Sequence, residues 1–266
     1  MDARLVRLRV YPFKSLDGAD VAAASLVAPG TFARDREFRL VDAEDTVVNG
    51  KREPLVHALR VAYDLALTAA TFSSARVATT FTYELGGDTR ALEAWLSAHF
   101  GRAVFVERAE RGGFPDDTAA YGPTIVSRAT LEAVASWFPG LSAAGMNLRI
   151  RANMEVDGVA AFWEDGLFSP GAPPFAVGGA RFVGAYPCAR CIVPSRDPLT
   201  GEERRLFAKR LAERRAATLP PWAARERFDH YFGSRPTRPL PRARSGKASR
   251  SAISSGRQRR RDSADV

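Results

Sequence analysis

The chain has 266 residues, 45% of them hydrophobic, so it can bury the core of one large domain or two smaller ones without cross-links. It contains only two cysteines, which excludes a secreted disulfide framework. No apolar run approaches the roughly 18 residues of a membrane span, and the first residues alternate charged and apolar side chains where a signal peptide needs an unbroken apolar stretch. These observations predict a cytoplasmic protein that does not engage a membrane.

The formal net charge of +9 is concentrated near the C-terminus. Beyond Gly233 there are ten Lys or Arg and two Asp, so this segment carries eight of the nine net positive charges. The nearly neutral remainder gives no reason to expect a specific nucleic-acid-binding face. Because the segment is rich in Arg, Ser and Pro and poor in large apolar residues, residues 234–266 are predicted to form a disordered basic tail. Nonspecific binding of nucleic acid by the tail is an alternative function.

The first 110 residues have the pattern of a β-rich unit. Short alternating or β-branched segments are separated by turn residues: LVRLRVYPF, EFRLVDAEDTVVN, VAYDLALTA, VATTFTYEL and AVFVERA. Residues 89–101 change to helical spacing, with Asp88 able to cap the start and Gly101 at the position after the last turn. A Gly/Pro/Asp-rich stretch follows, and a domain boundary is predicted near Glu110.

Residues 111–233 are predicted to form a second β-rich unit. Its first element is a helix, SRATLEAVASWFPG, which ends at a Pro-Gly pair. Four segments with the composition of strands follow: LRIRANMEVDG, AAFWEDGLF, PFAVGGARFVGAY and CIVPS. Residues 202–217 are strongly charged and predicted to be helical. The expected fold class is therefore α+β and β-rich.

The two thiols, Cys188 and Cys191, flank Arg190. A neighbouring guanidinium favours the thiolate, the form that binds metals and attacks electrophiles. Structural zinc would need four ligands, and the three histidines are scattered along the chain. A thioredoxin-like dithiol would begin a helix, whereas apolar residues and a turn follow here. These residues alone leave open whether both cysteines are simply small buried side chains.

Several motifs around these residues recur together in a fixed order. The segment YPCARCIVPSRDPLTGE follows IRANMEVDGVAAFWEDGL, and VYPFKSLDG, RDREFRLVD and KREPLV lie upstream. Over roughly residues 3–232 this series resembles the MOSC-domain proteins, named for the C-terminal domain of molybdenum cofactor sulfurase. The resemblance implies an N-terminal β-barrel-like domain over residues 1–110 and a MOSC β-barrel domain over residues 111–233, with molybdenum cofactor between them.

The resemblance also implies a set of ligand residues. Cys191 is the expected catalytic residue and the protein ligand to molybdenum, because a soft thiolate suits a metal already bound by dithiolene sulfurs. Cys188 is expected to support the loop. The residues implied to bind the cofactor are Lys14, Ser15 and Arg36 at its phosphate, Arg151 and Asn153 at the pterin face, and Lys51, where relatives often carry arginine. Three further residues could shape a substrate mouth but are more typical of a turn or a core, and we do not count them as site residues: Asp116, Trp163 and Glu164.

The family includes the mitochondrial amidoxime-reducing component and bacterial relatives. This implies a molybdenum-dependent oxidoreductase that reduces N-hydroxylated or similar small-molecule N–O substrates by two-electron oxygen-atom transfer. The family is also associated with pyridoxal phosphate binding. Some relatives carry a fused iron–sulfur domain, but this chain has no further cysteines, so a separate electron-donor protein is expected. A non-catalytic carrier of molybdenum cofactor or sulfur is the alternative.

The C-terminus departs from the family pattern. In relatives, an FDHYY-like segment continues into a final strand with a valine-glycine-aspartate turn that completes the barrel. Here FDHYF is followed by GSRPTRPLPRARSGK, in which no such strand is predicted. One hypothesis is that a frameshift or truncation produced the basic tail and left an open sheet edge.

Overall fold

The computed structural model describes residues 3–169, 171–188, 191–223, 237–239 and 252–254. Arg190, the FDHYF segment and most of the predicted tail lie outside these ranges. The described chain is α+β and β-rich, as predicted.

The strands are β1 Arg4–Val10, β2 Ala19–Asp20, β3 Ala23–Val27, β4 Thr31–Phe32, β5 Phe38–Asp42, β6 Val47–Val48, β7 Leu59–Tyr63, β8 Ala69–Ser74, β9 Val77–Glu84, β10 Val104–Arg108, β11 Ile125–Ser127, β12 Met154–Asp157, β13 Phe175–Val177, β14 Ala180–Gly184, β15 Thr237–Pro239 and β16 Ala252–Ser254. The α-helices are α1 Arg90–Phe100, α2 Arg128–Ser136, α3 Ala143–Ile150 and α4 Phe207–Thr218. Short 3₁₀ helices occupy Pro54–Ala58, Trp163–Phe168 and Val193–Ser195.

The described strands form five sheets of three or four strands, and within this part of the chain no sheet closes into a barrel. The two predicted β-barrels are therefore corrected to small open sheets. The physical reason is that the strands are short and interrupted by turns, so that each sheet ends before it can curl back on its first strand. The sheets bury their apolar faces against shared hydrophobic clusters instead.

The first core lies between the β7–β8–β9 sheet, the β10–β5–β6 sheet and α1. The predicted helix is confirmed, because α1 buries an apolar face formed by Leu92, Trp95, Leu96 and Phe100. Gly101 ends the helix in the left-handed region, with φ of 70°, where an L side chain would be strained. The predicted strand VAYDLALTA is wrong as one element, because a turn stabilised by Asp64 separates β7 from β8.

The second core joins the two ends of the sequence. β1 pairs antiparallel with β12, and the sheet runs in the order β11–β12–β1–β2. Leu8 and Val10 from β1 pack with Met154 and Val156 from β12 in one buried cluster. The predicted boundary near Glu110 stays a prediction, but the first strand lies across it, in the sheet of the following part.

The third core is helical. Ser127 accepts a hydrogen bond from the backbone N of Thr130 and so caps α2, as its sequence predicted. Ser142 caps α3 in the same way through the backbone N of Gly145. The two helices pack with Phe207 and Leu211 of α4.

Three strand predictions are wrong in this part. LRI of LRIRANMEVDG is the last turn of α3, because Met146 and Ile150 lie four residues apart on one buried helical face. WEDGLF is a 3₁₀ helix that begins after Phe162, whose φ is 62°. VPS is also a 3₁₀ helix, since Pro194 has no N–H with which to join a strand ladder.

The last predicted helix begins later than expected. Residues 202–206 are not part of α4, because Glu203 forms a β-bridge with Arg196 and the Asp197 carboxylate accepts the backbone N–H groups of Leu199 and Thr200. The helix proper starts at Phe207.

Two short strands lie within the predicted tail. β15 pairs antiparallel with β14, and β16 pairs with β3. The expectation that no strand follows FDHYF is therefore corrected: β14 and β3 present open edges with free backbone groups, and the segments Thr237–Pro239 and Ala252–Ser254 occupy them. Disorder of the remaining tail stays a prediction. None of the helices in the described ranges is long and apolar enough to span a bilayer.

Candidate functional site

Lys14 is placed by the first strand and the start of β5. Its backbone N donates to the carbonyl of Phe38 at 2.8 Å, and Phe13 forms a parallel β-bridge with Phe38. The Lys14 Nζ lies 3.1 Å from Oδ1 of Asp116, in the Gly/Pro/Asp-rich loop. The lysine side chain is only 17% exposed, so this pair is shielded more than a surface ion pair.

Arg36 lies beside Lys14, just before β5. Its φ is 54°, and its backbone N donates to the carbonyl of Tyr11 at 2.7 Å, which fixes this left-handed turn. Its Nη1 donates to Oδ2 of buried Asp35 at 2.8 Å. Burial works against the guanidinium charge, but Asp35 and then Asp116 more than offset it, so the pKa of Arg36 is raised.

Asp116 lies among the cations named so far and a third, Lys51, whose Nζ is 4.0 Å from the same oxygen. We call Lys14, Arg36 and Lys51 the cationic cluster. Burial opposes ionisation of the carboxyl, but Lys14 above all, with Arg36 and Lys51, lowers the pKa of Asp116. The sequence analysis did not count Asp116 as a site residue. Its position in an Asp-Asp pair of a loop was the available signal, and such carboxylates are usually solvated turn residues.

Asn153 is buried, with 1% of its surface exposed. Its Oδ1 accepts from the backbone N and the hydroxyl of Thr124, both at 3.1 Å. Its Nδ2 donates to the carbonyl of Arg9 and to Oδ1 of Asp35, also at 3.1 Å. All four hydrogen-bonding positions of this amide are therefore used inside the protein. The predicted contact of Asn153 with a pterin is not supported by this geometry, which instead makes Asn153 the support of Asp35 and, through it, of Arg36.

Arg151 ends α3 in the left-handed region, with φ of 55°. Its guanidinium lies over the ring of Tyr11, 4.2 Å from the centroid, and its Nη2 donates to the carbonyl of Leu16 at 2.6 Å. Burial lowers the pKa of Arg151. These contacts bring the predicted Arg151 next to the turn that carries Lys14 and Ser15.

Ser15 and Arg151 both line a small cavity of about 90 Å³. We call it the arginine cavity. Its lining includes Arg9, Arg60, Arg149, Arg151 and Arg196, together with Ser15, Asp17 and His57. The structure thus divides the predicted cofactor-binding residues: Lys14, Arg36 and Lys51 surround Asp116, Ser15 and Arg151 lie at the cavity, and Asn153 is buried between the two.

Cys191 is a free, half-buried thiol just before the 3₁₀ helix Val193–Ser195. Arg149, near the end of α3, holds this helix: its Nη1 donates to the carbonyls of Pro194 and Arg196, and its Nη2 lies 3.2 Å from the carboxylate of Asp197. Arg149 therefore ties the chain that follows Cys191 to the helix that carries Arg151.

The chain that precedes Cys191 is tied to the cationic cluster. Tyr186 donates its hydroxyl hydrogen bond to Asp117 at 2.7 Å, next to Asp116. Cys188, also half-buried, is one of the groups that raise the pKa of Arg36, although less than Asp35 and Asp116 do. The stretch from Tyr186 to Cys188 thus lies beside Arg36 and the Asp116 loop.

Glu164, which the sequence analysis set aside, is buried beneath α2. Its Oε1 accepts from the backbone N of Ser127 at 3.4 Å, and its Oε2 makes no hydrogen bond to the described residues. Burial raises its pKa to about 7, and neighbouring Asp165 adds to the rise. These contacts give Glu164 a role in the core.

The donor set can be compared with what a metal would need. Within the described residues no three His, Cys, Asp or Glu side chains come together as a metal-binding group. A metal that takes most of its ligands from a bound organic group needs a single protein thiolate and cations for the rest of that group. Cys191 and the cationic cluster fit this description.

The family comparison agrees with the N-terminal part of this description. Residues 2–103 match the family model of the MOSC N-terminal beta barrel domain. The match supports a MOSC-domain protein, as the sequence predicted, although the described strands of this part form open sheets. No curated protein matches the chain. The family match includes Lys14, Ser15, Arg36 and Lys51 and ends before Asp116, Arg151 and Cys191.

Proposed function

We propose that the chain binds a molybdenum cofactor and acts as an oxidoreductase on small N–O substrates by two-electron oxygen-atom transfer. The observation that carries the proposal is the meeting of three distant stretches of sequence. Residues 14–51, the Asp116 loop and the segment before Cys191 are connected by the Lys14–Asp116 ion pair and the Tyr186–Asp117 hydrogen bond. Arg151 joins the same region through the carbonyl of Leu16.

Cys191 would be the protein ligand to the metal. Its thiolate is a soft anionic donor, and its half-buried position leaves it accessible to a bound group while limiting contact with water. The clasp of Arg149 on the carbonyls of Pro194 and Arg196 holds the chain just after the thiol. A rigid support of this kind fixes the sulfur position that the chemistry requires.

The cationic cluster would bind the phosphate of the pterin. Lys14 and Lys51 supply ammonium donors, and Arg36 is oriented by Asp35, which Asn153 holds in turn. In the structure Asp116 provides the negative charge between these cations. A phosphate that enters the cluster would share or displace the Asp116 carboxylate, since both anions require the same donors.

When bound, the cofactor would supply the two-electron redox change and accept the oxygen atom. The chain would supply binding, orientation and electrostatics. Arg151, fixed by Tyr11 and Leu16, would provide positive charge beside the pterin. We expect a separate electron-donor protein to restore the reduced state, because the sequence offers two cysteines and no iron–sulfur motif.

Metal and pterin analysis tests the proposal. The full-length protein is purified from a host that makes molybdenum cofactor, beside Cys191→Ala and the matched variant Cys188→Ala. We expect wild type and Cys188→Ala to retain molybdenum and pterin, and Cys191→Ala to lose the metal. Retention of molybdenum by Cys191→Ala at the wild-type level would contradict the proposal.

Turnover tests the enzymatic part separately. Cofactor-loaded protein is supplied with an artificial reductant and a hydroxylamine-type substrate, and the amine product is measured. We expect product from wild type and none from Cys191→Ala. Loaded wild-type protein that never forms product would instead indicate a cofactor carrier.

A further inference from the structure

The arginine cavity contains more positive charge than its neighbours neutralise. Three of its five arginines have carboxylate partners: Arg9 with Asp20 at 2.7 Å, Arg60 with Asp17 at 3.5 Å and Arg149 with Asp197 at 3.2 Å. The other two, Arg151 and Arg196, form no salt bridge with any residue that the structure describes. Their recorded hydrogen bonds go to the carbonyls of Leu16 and Gly201.

Two N–H donors of the cavity arginines also lack partners. The Nε atoms of Arg149 and Arg196 are buried and make no hydrogen bond within the described chain. A buried charged donor without an acceptor costs on the order of 1–3 kcal/mol or more, so such donors are normally satisfied by protein, water or a ligand. Both residues line the same cavity, which makes a shared acceptor inside it the simplest solution.

The size of the cavity limits what the acceptor can be. Its volume of about 90 Å³ equals that of roughly three liquid water molecules at about 30 Å³ each. Pockets for larger organic ligands are roughly 300–1,000 Å³, so a whole pterin does not fit. A single tetrahedral oxyanion does, and two negative charges would balance the two unpaired arginines.

The cavity also offers donors of the kind that recognise oxyanions. Guanidinium groups form directional, charge-assisted hydrogen bonds to phosphate and sulfate oxygens, and the hydroxyl of Ser15 adds a short donor. His57 provides no compensating negative charge; its Nε2 donates to the carbonyl of Gly50, and burial lowers its pKa. Asp17, the one acidic residue in the lining, is already paired with Arg60.

We propose that the arginine cavity is a binding site for one doubly charged tetrahedral oxyanion of the phosphate or sulfate type. The site is distinct from the cationic cluster, which lies around Asp116. It does not depend on the metal at Cys191. Free phosphate and the phosphate end of a bound cofactor share this chemistry, and the test separates them.

The test is calorimetric titration of the full-length protein with inorganic phosphate at constant ionic strength. We expect Arg196→Gln to weaken binding at one site by at least about tenfold, because it removes an unpaired cation and an unsatisfied donor. The matched control Arg210→Gln removes the same charge from the exposed face of α4 and should leave the affinity unchanged. Equal affinities of wild type and Arg196→Gln would overturn the proposal, as would loss of all phosphate binding in Lys14→Gln alone. Thermal unfolding of each variant establishes that it is folded, and Arg196→Lys, which keeps the charge, should bind more tightly than Arg196→Gln.

Two further arms identify the source of the anion and separate this proposal from the proposed function. Titration of cofactor-free and cofactor-loaded protein gives the same site in both if the ligand is free phosphate, and only in the former if the cofactor's phosphate fills the cavity. Cys191→Ala should lose molybdenum yet bind phosphate as wild type does. Arg196→Gln should show the reverse if the ligand is free phosphate.

Discussion

The side-chain amide of Asn153 donates to the carboxylate of Asp35 at 3.1 Å, across 118 positions of sequence. The same carboxylate accepts from the backbone N of Tyr11 and from Arg36. One buried amide therefore connects the chain before β12 with the turn that carries a predicted phosphate ligand. Replacing it tests whether the connection holds the fold as well as the site.

Asn153→Ala should destabilise the protein by about 2–4 kcal/mol, because it leaves Asp35 and the backbone groups at Thr124 and Arg9 without a buried partner. Urea unfolding measures the change. The control Asn49→Ala removes an amide from a turn, where the cost should stay near 1 kcal/mol. A loss at Asn153 no larger than the loss at Asn49 would show that the network is not a structural support.

Glu164 should make the stability depend on pH. Its pKa is raised to about 7 in the folded protein from an ordinary value of 4.5, because it is buried. The folded state therefore holds the proton more tightly than the unfolded state, so stability falls as pH rises from about 4.5 through 7 and then levels off. Glu164→Gln should flatten this dependence and be more stable than wild type at pH 8 by up to about 3 kcal/mol.

Urea unfolding of Glu164→Gln at pH 5 and pH 8 checks this expectation. The matched variant Glu132→Gln alters an exposed carboxylate on α2 and should follow wild type at both values. If Glu164→Gln and wild type lose the same stability between the two pH values, Glu164 is ionised in the fold and the assignment fails.

Arg215 and Asp165 form a buried ion pair that joins α4 to the 3₁₀ helix Trp163–Phe168. The guanidinium also lies over the ring of Phe162, 4.4 Å from its centroid. Arg215→Met should cost about 3–5 kcal/mol, since Asp165 would remain buried without its cation. The double variant with Asp165→Asn should recover a large part of this loss.

A double-mutant cycle measured by denaturant unfolding gives the coupling between Arg215 and Asp165. Lys209→Met breaks a solvent-exposed pair with Glu213 on the same helix and should change stability by less than about 1 kcal/mol. Additive losses from the two buried substitutions would contradict the pairing.

Asp116 should compete with anions for the cationic cluster. Asp116→Asn leaves Lys14 and Lys51 without their shared carboxylate, and because that carboxylate is 63% exposed its loss should change stability by less than about 1 kcal/mol. We expect this variant to bind phosphate more tightly than wild type, with Asp117→Asn, next in the same loop, as the control. Weaker binding in Asp116→Asn would mean that the carboxylate positions the lysines instead of competing for them.

Local signals allowed part of this structure to be predicted. Helix α1 follows from its apolar period and its terminal glycine, both of which lie within a dozen residues. The end of α3 was mistaken for a strand because Leu148 and Ile150 alternate over too short a stretch to separate a period of two from one of 3.6. The resemblance placed Lys14 and Arg36 near one another. The role of Asp116 and the saturated amide of Asn153 depend on contacts between distant residues, which sequence patterns do not encode.

The pairing of β1 with β12 bears on how the protein is made. The N-terminal strand leaves the ribosome first but finds its partner only after more than 140 further residues have been synthesised. Until then its edge and the apolar side chains of Leu8 and Val10 have no permanent neighbours. The first hundred residues alone are consequently an incomplete folding unit, and the earliest part of the chain is among the last to reach its final place.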